Sequence, residues 1–169
     1  MRLQSDLVDY IKRYASKKDL TINGMITNIL SKNVAYDETI DVIPNIILPH
    51  DLFFALVSKL KESDVEEIAK EGPKVIKKIF DIVGLQYDID HVINDYFVIL
   101  AKHCKWFEFT YKVTGDRYRL VFCTGMNSKW VTFLQHYLRA IIESFNILIT
   151  KESNHAGIIV FEFLHKDYH

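Results

Sequence analysis

The side chains that most often ligate metal ions or act as nucleophiles are scattered along this 169-residue chain. His103 and Cys104 are adjacent, so one helix could not easily aim both at the same metal ion. His165 and His169 are spaced like a ligand pair, but the polar residues between them indicate a solvated tail. The sequence therefore predicts no metal site and no cofactor from its histidines, which are His50, His91, His103, His136, His155, His165 and His169.

A cysteine nucleophile would need a nearby base, and the one arrangement of this kind pairs Cys123 with the helix that carries His136. A buried thiol beside a surface histidine accounts for the same residues and is the favoured interpretation. The chain also has no glycine-rich phosphate loop and no G-x-S-x-G motif. We therefore predict that the protein is not an enzyme.

A second set of residues could bind a ligand without reacting with it. Trp106, Glu108, Arg117 and Arg119 would share one face of a β-hairpin, opposite the aromatic residues of the core. Such a mixture could line a pocket for an aromatic or anionic ligand, or form a subunit interface rich in Trp and Arg. A solvated face with a pair of extended arginines is the remaining alternative.

The elements that must position these residues form a ββαββ pattern in the C-terminal half. Period-two alternation from Lys105 to Phe122, interrupted at Gly115, predicts a β-hairpin. Residues 125–145 carry a broad apolar stripe at helical spacing, and residues 147–150 and 158–164 indicate two further strands. We predict an α+β fold in which an antiparallel sheet packs against one helix.

Helical patterns dominate the chain before the sheet. Residues 36–49 contain Pro44 and Pro49, which exclude a continuous helix, so this stretch is predicted to be a linker. Ser63 and Glu66 have the spacing of a capping box and open a helix of the middle region. The predicted organisation is a head of residues 1–35, the linker 36–49, and a body of residues 50–169 that joins a helical middle to the sheet.

The N-terminal head reads as two short helices. Apolar residues from Leu7 to Tyr14 recur at helical spacing and predict a helix over 5–17, while Thr21 is placed to cap a second helix. Residues 1–32 carry a net charge of +3, whereas residues 33–102 carry −6. A basic head on an acidic middle is compatible with phosphate contact at one end, although ordinary scatter gives the same numbers.

Residues 2–34 resemble the ribbon-helix-helix family of dimeric DNA-binding regulators, the Arc and CopG type. Leu7, Ile11 and Ala15 fall on core positions of its first helix, and Asp19 falls where the family often has glycine. The resemblance implies a homodimer whose paired strands enter the major groove, with the second helix directed at a phosphate. The DNA-binding residues that it implies are Arg2, Gln4, Lys17, Lys18, Thr21, Ile22 and Asn23.

These observations predict a DNA-binding transcriptional regulator. Its head would dimerise on double-stranded DNA, and its body would sense a small-molecule effector or set the oligomeric state. The match has a gap at its start, because two of the three groove-facing strand positions would precede Met1. The alternative is a module that binds a small molecule or a protein and not DNA, with a purely structural N-terminal hairpin.

The bulk composition places the chain among ordinary globular proteins. Hydrophobic residues make up 49% and charged residues 25%, which is too apolar for disorder. No apolar run approaches the roughly 20 residues of a membrane span, and no secretory signal is visible. The expected location is therefore cytoplasmic, with no membrane partner.

Overall fold

The structure, a computed structural model, describes residues 4–34 and 48–165 of an α+β chain. It divides into two compact units, Met1–Pro44 and Asn45–His169. Arg2, His169 and residues 36–47 of the predicted linker lie outside the described residues. Among the described residues, no helix is both long and apolar enough to cross a bilayer.

The first unit contains two helices, α1 (Ser5–Lys17) and α2 (Ile22–Lys32). Helix α2 begins after Thr21, whose side-chain oxygen accepts a hydrogen bond from the Gly24 amide at 3.0 Å and satisfies a free donor of the first turn. Asp19 takes the left-handed conformation, with φ of 52°, between the helices. Few residues are buried here, and the core of this unit consists of Ile11, Ala15 and Met25, with Ile26 packed against them.

The left-handed backbone at Asp19 gives a test of this turn. We expect Asp19→Gly to stabilise the unit by about 1 kcal/mol, because glycine has no Cβ to crowd the following carbonyl. Ser16→Gly, inside α1, is the matched control and should destabilise the unit by about 0.5–1 kcal/mol. Amide hydrogen exchange across both helices measures the change, and equal losses in the two variants would contradict the expectation.

The second unit begins with a series of helices. Helix α4 starts after Lys61, whose backbone amide donates to the Asp64 carboxylate at 3.0 Å; the predicted capping pair, Ser63 and Glu66, therefore lies two residues too late. The last helical segment includes two π-helical stretches that the sequence did not indicate. In order, the elements are α3 (His50–Lys59), α4 (Glu62–Lys70), α5 (Gly72–Val83), α6 (Ile89–His91), and the π-helical stretches Val92–Phe97 and Leu100–Cys104.

A four-stranded antiparallel sheet follows, which confirms the predicted α+β class. The strand order is β1-β2-β4-β3, so the two hairpins lie side by side with β2 against β4. A long helix joins the hairpins because their shared inner face needs an apolar cover. The elements are β1 (Glu108–Thr114), β2 (Arg117–Cys123), α7 (Ser128–Glu143), β3 (Ile149–His155) and β4 (Ile158–Leu164).

The main core lies between the inner face of this sheet and the helices. Strand β2 contributes Leu120 and Phe122, and β4 contributes Phe161 and Phe163, all fully buried. Period-two alternation places these side chains on one face of the sheet. They belong to the same core as the apolar stripe of α7, which includes Leu134, Leu138 and Ile141.

A polar network fastens the edge strand β3 to α7. The Arg139 guanidinium donates two hydrogen bonds to the Glu152 carboxylate, at 2.9 and 2.6 Å, and Gln135 donates to the same carboxylate. Asn154 in turn donates to the Gln135 side-chain oxygen at 2.8 Å. Burial raises the pKa of Glu152, but these hydrogen bonds and the charge of Arg139 lower it. The resulting pKa is below the usual 4.5.

This lowered pKa predicts a pH-dependent contribution to stability. A carboxyl whose folded pKa is depressed stabilises the fold above its unfolded pKa and loses that effect as the pH falls through the folded value. We expect Glu152→Gln to cost about 1 kcal/mol at pH 7, allowing for partial exposure of the pair, and the difference from the unmodified protein to shrink below about pH 4.5.

Urea unfolding at pH 7 and at pH 3 measures this difference. Glu67→Gln, at an exposed position of α4 with no ion pair to another described residue, is the control and should change stability little at either pH. A cost for Glu152→Gln that is the same at both pH values would contradict the assignment.

A partly buried tyrosine, Tyr96, and a buried one, Tyr137, join the π-helical segment to α7. The hydroxyls of Tyr96 and Tyr137 are 2.5 Å apart, and burial raises the pKa of Tyr96 to about 12 and that of Tyr137 well above its usual value. Both hydroxyls therefore stay neutral, and one donates a hydrogen bond to the other. Gly72 permits this packing, because a Cβ there would lie 2.5 Å from the Tyr137 ring.

Candidate ligand-binding groove

A groove lies at one end of the sheet, where three chain segments meet within the second unit. The first segment runs from the end of the π-helical stretch into β1, the second connects β2 to α7, and the third is the turn between β3 and β4. The groove has a volume of about 680 Å³. Its lining residues are Ala101, Lys102, Lys105, Trp106, Phe107, Glu108, Phe109, Cys123, Thr124, Gly125, Met126, Ala156, Gly157 and Ile158.

The apolar part of the groove is built on the core. Phe107 is buried and its ring packs edge-on against Phe122, with centroids 5.0 Å apart. Trp106 is partly buried and packs edge-on against Trp130, whose indole N–H donates to the Trp106 carbonyl at 3.3 Å. Met126 lies in the same lining. The groove therefore presents aromatic and thioether surface that the fold already holds in place.

Three residues of the groove lining have a left-handed backbone. Lys105 and Ala156 have φ of 58° and 49°, although neither is glycine. Gly157 has φ of 81°, and its carbonyl accepts a hydrogen bond from the Thr124 amide at 2.9 Å. A Cβ on Gly157 would lie 2.3 Å from the Thr124 carbonyl oxygen, so only glycine fits. Ala156 and Gly157 are the two central residues of the β3–β4 hairpin, whose favoured two-residue turn has positive φ at both positions. Lys105 ends the π-helical stretch in the left-handed conformation that is common after helices.

The charge of the groove is positive. Lys102 and Lys105 are exposed, and neither forms an ion pair with another described residue. Glu108 is the one carboxylate among the lining residues. Two ammonium groups beside one carboxylate leave a net charge of +1 next to an apolar wall.

The structure separates the four residues that the sequence placed in one pocket. Trp106 and Glu108 line the groove, whereas Arg117 lies opposite Thr114 at the other end of the hairpin. Arg119 donates to the Glu162 carboxylate at 2.6 Å on the outer face of the sheet. In a hairpin, residues equidistant from the turn face each other, and six residues of strand separate these ends by roughly 20 Å.

The remaining sequence candidates are not brought together at this site. Cys123 lines the groove, but His136 does not. Within residues 4–34 and 48–165, no three side chains of the metal-binding types converge. The lysines and the loop residues around them were not identified from sequence, because only the tertiary structure makes them neighbours.

The residues predicted to contact DNA lie along the first unit. Gln4 precedes α1 and is exposed, and Lys17 is in its last turn. The Lys18 ammonium lies 5.1 Å from the centre of the Tyr14 ring, a cation–π contact. Thr21 caps α2, and Ile22 and Asn23 are exposed in its first turn.

No family model matches the chain, and no curated protein matches it. Solved structures similar to the chain include three of H-NOX proteins. A doubly substituted Tt H-NOX is 14% identical, with a TM-score of 0.44, over 79% of this chain and 85% of its own length. Cs H-NOX carrying 4-cyano-L-phenylalanine is 16% identical, with a TM-score of 0.43, and the match covers 78% of this chain and 84% of that one. A structure from a study of heme distortion in the H-NOX family is 14% identical, with a TM-score of 0.43, and the match covers 93% of this chain and 90% of that one.

These comparisons correct the functional prediction. The similar structures are of H-NOX proteins, one of them solved to study heme, so the prediction of a transcriptional regulator bound to double-stranded DNA is wrong. The physical reason for the error is that a helical hairpin with a polar turn and a capping threonine arises for structural reasons alone. A likeness at this level of identity assigns no ligand to this chain.

The contact between Gly157 and Thr124 predicts that Gly157→Ala is strongly destabilising. The left-handed backbone costs an alanine about 1–2 kcal/mol, and the clash with the Thr124 carbonyl adds about 1–3 kcal/mol. Gly115, with φ of 60° and nothing within 4 Å of an added Cβ, provides the control. Gly115→Ala should show the backbone cost alone, and equal losses for the two variants in chemical unfolding would contradict the close approach.

Proposed function

We propose that the body of this protein binds a small molecule in the groove at the end of its sheet. The observation that supports the proposal is that the partly buried Trp106 and Met126 line the same groove as the exposed Lys102 and Lys105. The proposal assigns binding and no chemical reaction.

The composition of the groove supports a small ligand. The groove is open to solvent and has a volume of about 680 Å³. Small-molecule sites combine apolar surface with a few polar groups that orient the ligand. Trp106 and Met126 supply the first, and the lysines with Glu108 supply the second.

Gly125 allows the groove to be blocked without disturbing the fold. It lines the groove, its φ is not left-handed, and a Cβ built on it meets nothing within 4 Å. A large side chain at this position therefore occupies open space next to the ligand site. An alanine at the same position adds one methyl group and serves as the matched control.

We expect Gly125→Phe to weaken binding of the neutral probe N-phenyl-1-naphthylamine at least tenfold, whereas Gly125→Ala binds it as the unmodified protein does. A tenfold loss of affinity corresponds to about 1.4 kcal/mol. The aromatic rings of the probe would lose more than this if they no longer packed in the groove. Probe fluorescence and energy transfer from tryptophan measure the dissociation constant. Unchanged binding in Gly125→Phe, with an unchanged melting temperature, would place the probe elsewhere and contradict the proposal.

We also propose that α1, its left-handed turn and α2 share the helical hairpin of the ribbon-helix-helix fold, with no DNA-binding role. The cap at Thr21 and the φ of Asp19, at the position where that family often has glycine, support this likeness. A solution structure of residues 4–34 within the full chain tests it. Helices that cross differently from those of that fold would rule it out.

A further inference from the structure

We infer that the ligand of the groove is an amphipathic anion, whose negatively charged group is held by Lys102 and Lys105 while its apolar body lies against Trp106. This inference rests on the proposed function and specifies the chemical class of the ligand. It follows from the position of unpaired charge beside an apolar wall.

Some lysines of the chain have a counter-charge, whereas Lys102 and Lys105, like the exposed Lys77 and Lys78, form no ion pair with another described residue; Lys102 and Lys105 are distinguished by lining the groove. Lys70 pairs with Glu66 at 3.0 Å, and Lys74 pairs with Glu71 at 2.8 Å. Lys102 and Lys105 have no such partner among the described residues, although both line one groove three positions apart. An anion between them would gain two favourable interactions without breaking an existing pair.

Lys105 also occupies a backbone position that favours glycine. It ends the π-helical stretch Leu100–Cys104 with φ of 58° and ψ of 33°, the left-handed conformation. A glycine there would avoid the steric cost, but it would also remove the ammonium group. This is a usual way for a helix to end, and at this position the lysine also brings an ammonium group to the groove lining.

The surroundings favour a small anion with an apolar part and disfavour a polyanion. The groove has only two cations, and Glu108 would repel a second negative group nearby. Lysine ammonium groups act as point charges and do not select a planar, bidentate partner, so a carboxylate, a sulfonate or a phosphate monoester fits equally. The apolar body of the ligand is required by the aromatic wall.

Two dyes that differ by one anionic group test the inference in the full-length protein. They are N-phenyl-1-naphthylamine, which is neutral, and 8-anilino-1-naphthalenesulfonate, which adds a sulfonate to the same ring system. We expect the sulfonate to bind at least fivefold more tightly, and its affinity alone to fall as salt rises from about 50 to about 500 mM.

Charge variants locate the effect. The double variant Lys102→Gln/Lys105→Gln should lower the affinity for the sulfonate dye at least fivefold. Its affinity for the neutral dye should stay within twofold of that of the unmodified protein. Lys77→Gln/Lys78→Gln, which removes the same charge from exposed positions on α5 outside the groove lining, is the matched control and should change neither dye. Glu108→Gln should tighten the sulfonate about twofold.

A glycine variant separates charge from folding. Lys105→Gly should weaken the sulfonate while keeping or raising the melting temperature, because glycine accepts the left-handed backbone. A variant that loses binding only by unfolding would lower the melting temperature instead, and that result would overturn the role of Lys105.

The outcomes distinguish this inference from the proposed function. If both dyes bind equally, or if Lys102→Gln/Lys105→Gln weakens both to the same extent, the anionic preference is wrong and small-molecule binding in the groove still stands. If neither dye binds the unmodified protein, or if Gly125→Phe affects neither, the proposed function fails and this inference fails with it.

Discussion

The structure of the second unit depends on burying one face of a four-stranded sheet. Both hairpins place aromatic and aliphatic side chains on that face, and α7 joins the hairpins and presents its own apolar stripe to the same core. The burial of this surface is the dominant favourable contribution to folding. The π-helical segment also contributes side chains to this core, and the pair of tyrosines ties that segment to α7.

The groove is a consequence of how this sheet ends. The segment entering β1, the connection from β2 to α7 and the β3–β4 turn all lie at the same end of the strands, so three connections converge there. The hydrogen bond from the Thr124 amide to the Gly157 carbonyl binds two of these connections together. Rigid strands and a rigid helix therefore present loop residues in a fixed arrangement, which is the usual way in which folds carry binding sites.

The N-terminal unit is built differently. Its core contains Ile11, Ala15 and Met25, whereas many of its other apolar side chains, such as Tyr10 at 57% and Leu30 at 59%, remain exposed. A core this small supplies little of the free energy that folding requires. A functional prediction based on the pattern of this unit alone was wrong, because helix caps and amphipathic spacing report local structure and carry little information about partners.

The amino-acid sequence by itself determined the α+β class and the antiparallel sheet, because hydrophobic periodicity and turn residues act over a few neighbouring positions. It did not determine which polar residues share a site. Trp106 and Glu108 line the groove, whereas Arg117 and Arg119 lie at other places on the sheet, and Lys102 and Lys105 carried no local signal. Only the tertiary structure decides this, because strand order and register bring together residues that are more than fifty positions apart in the chain.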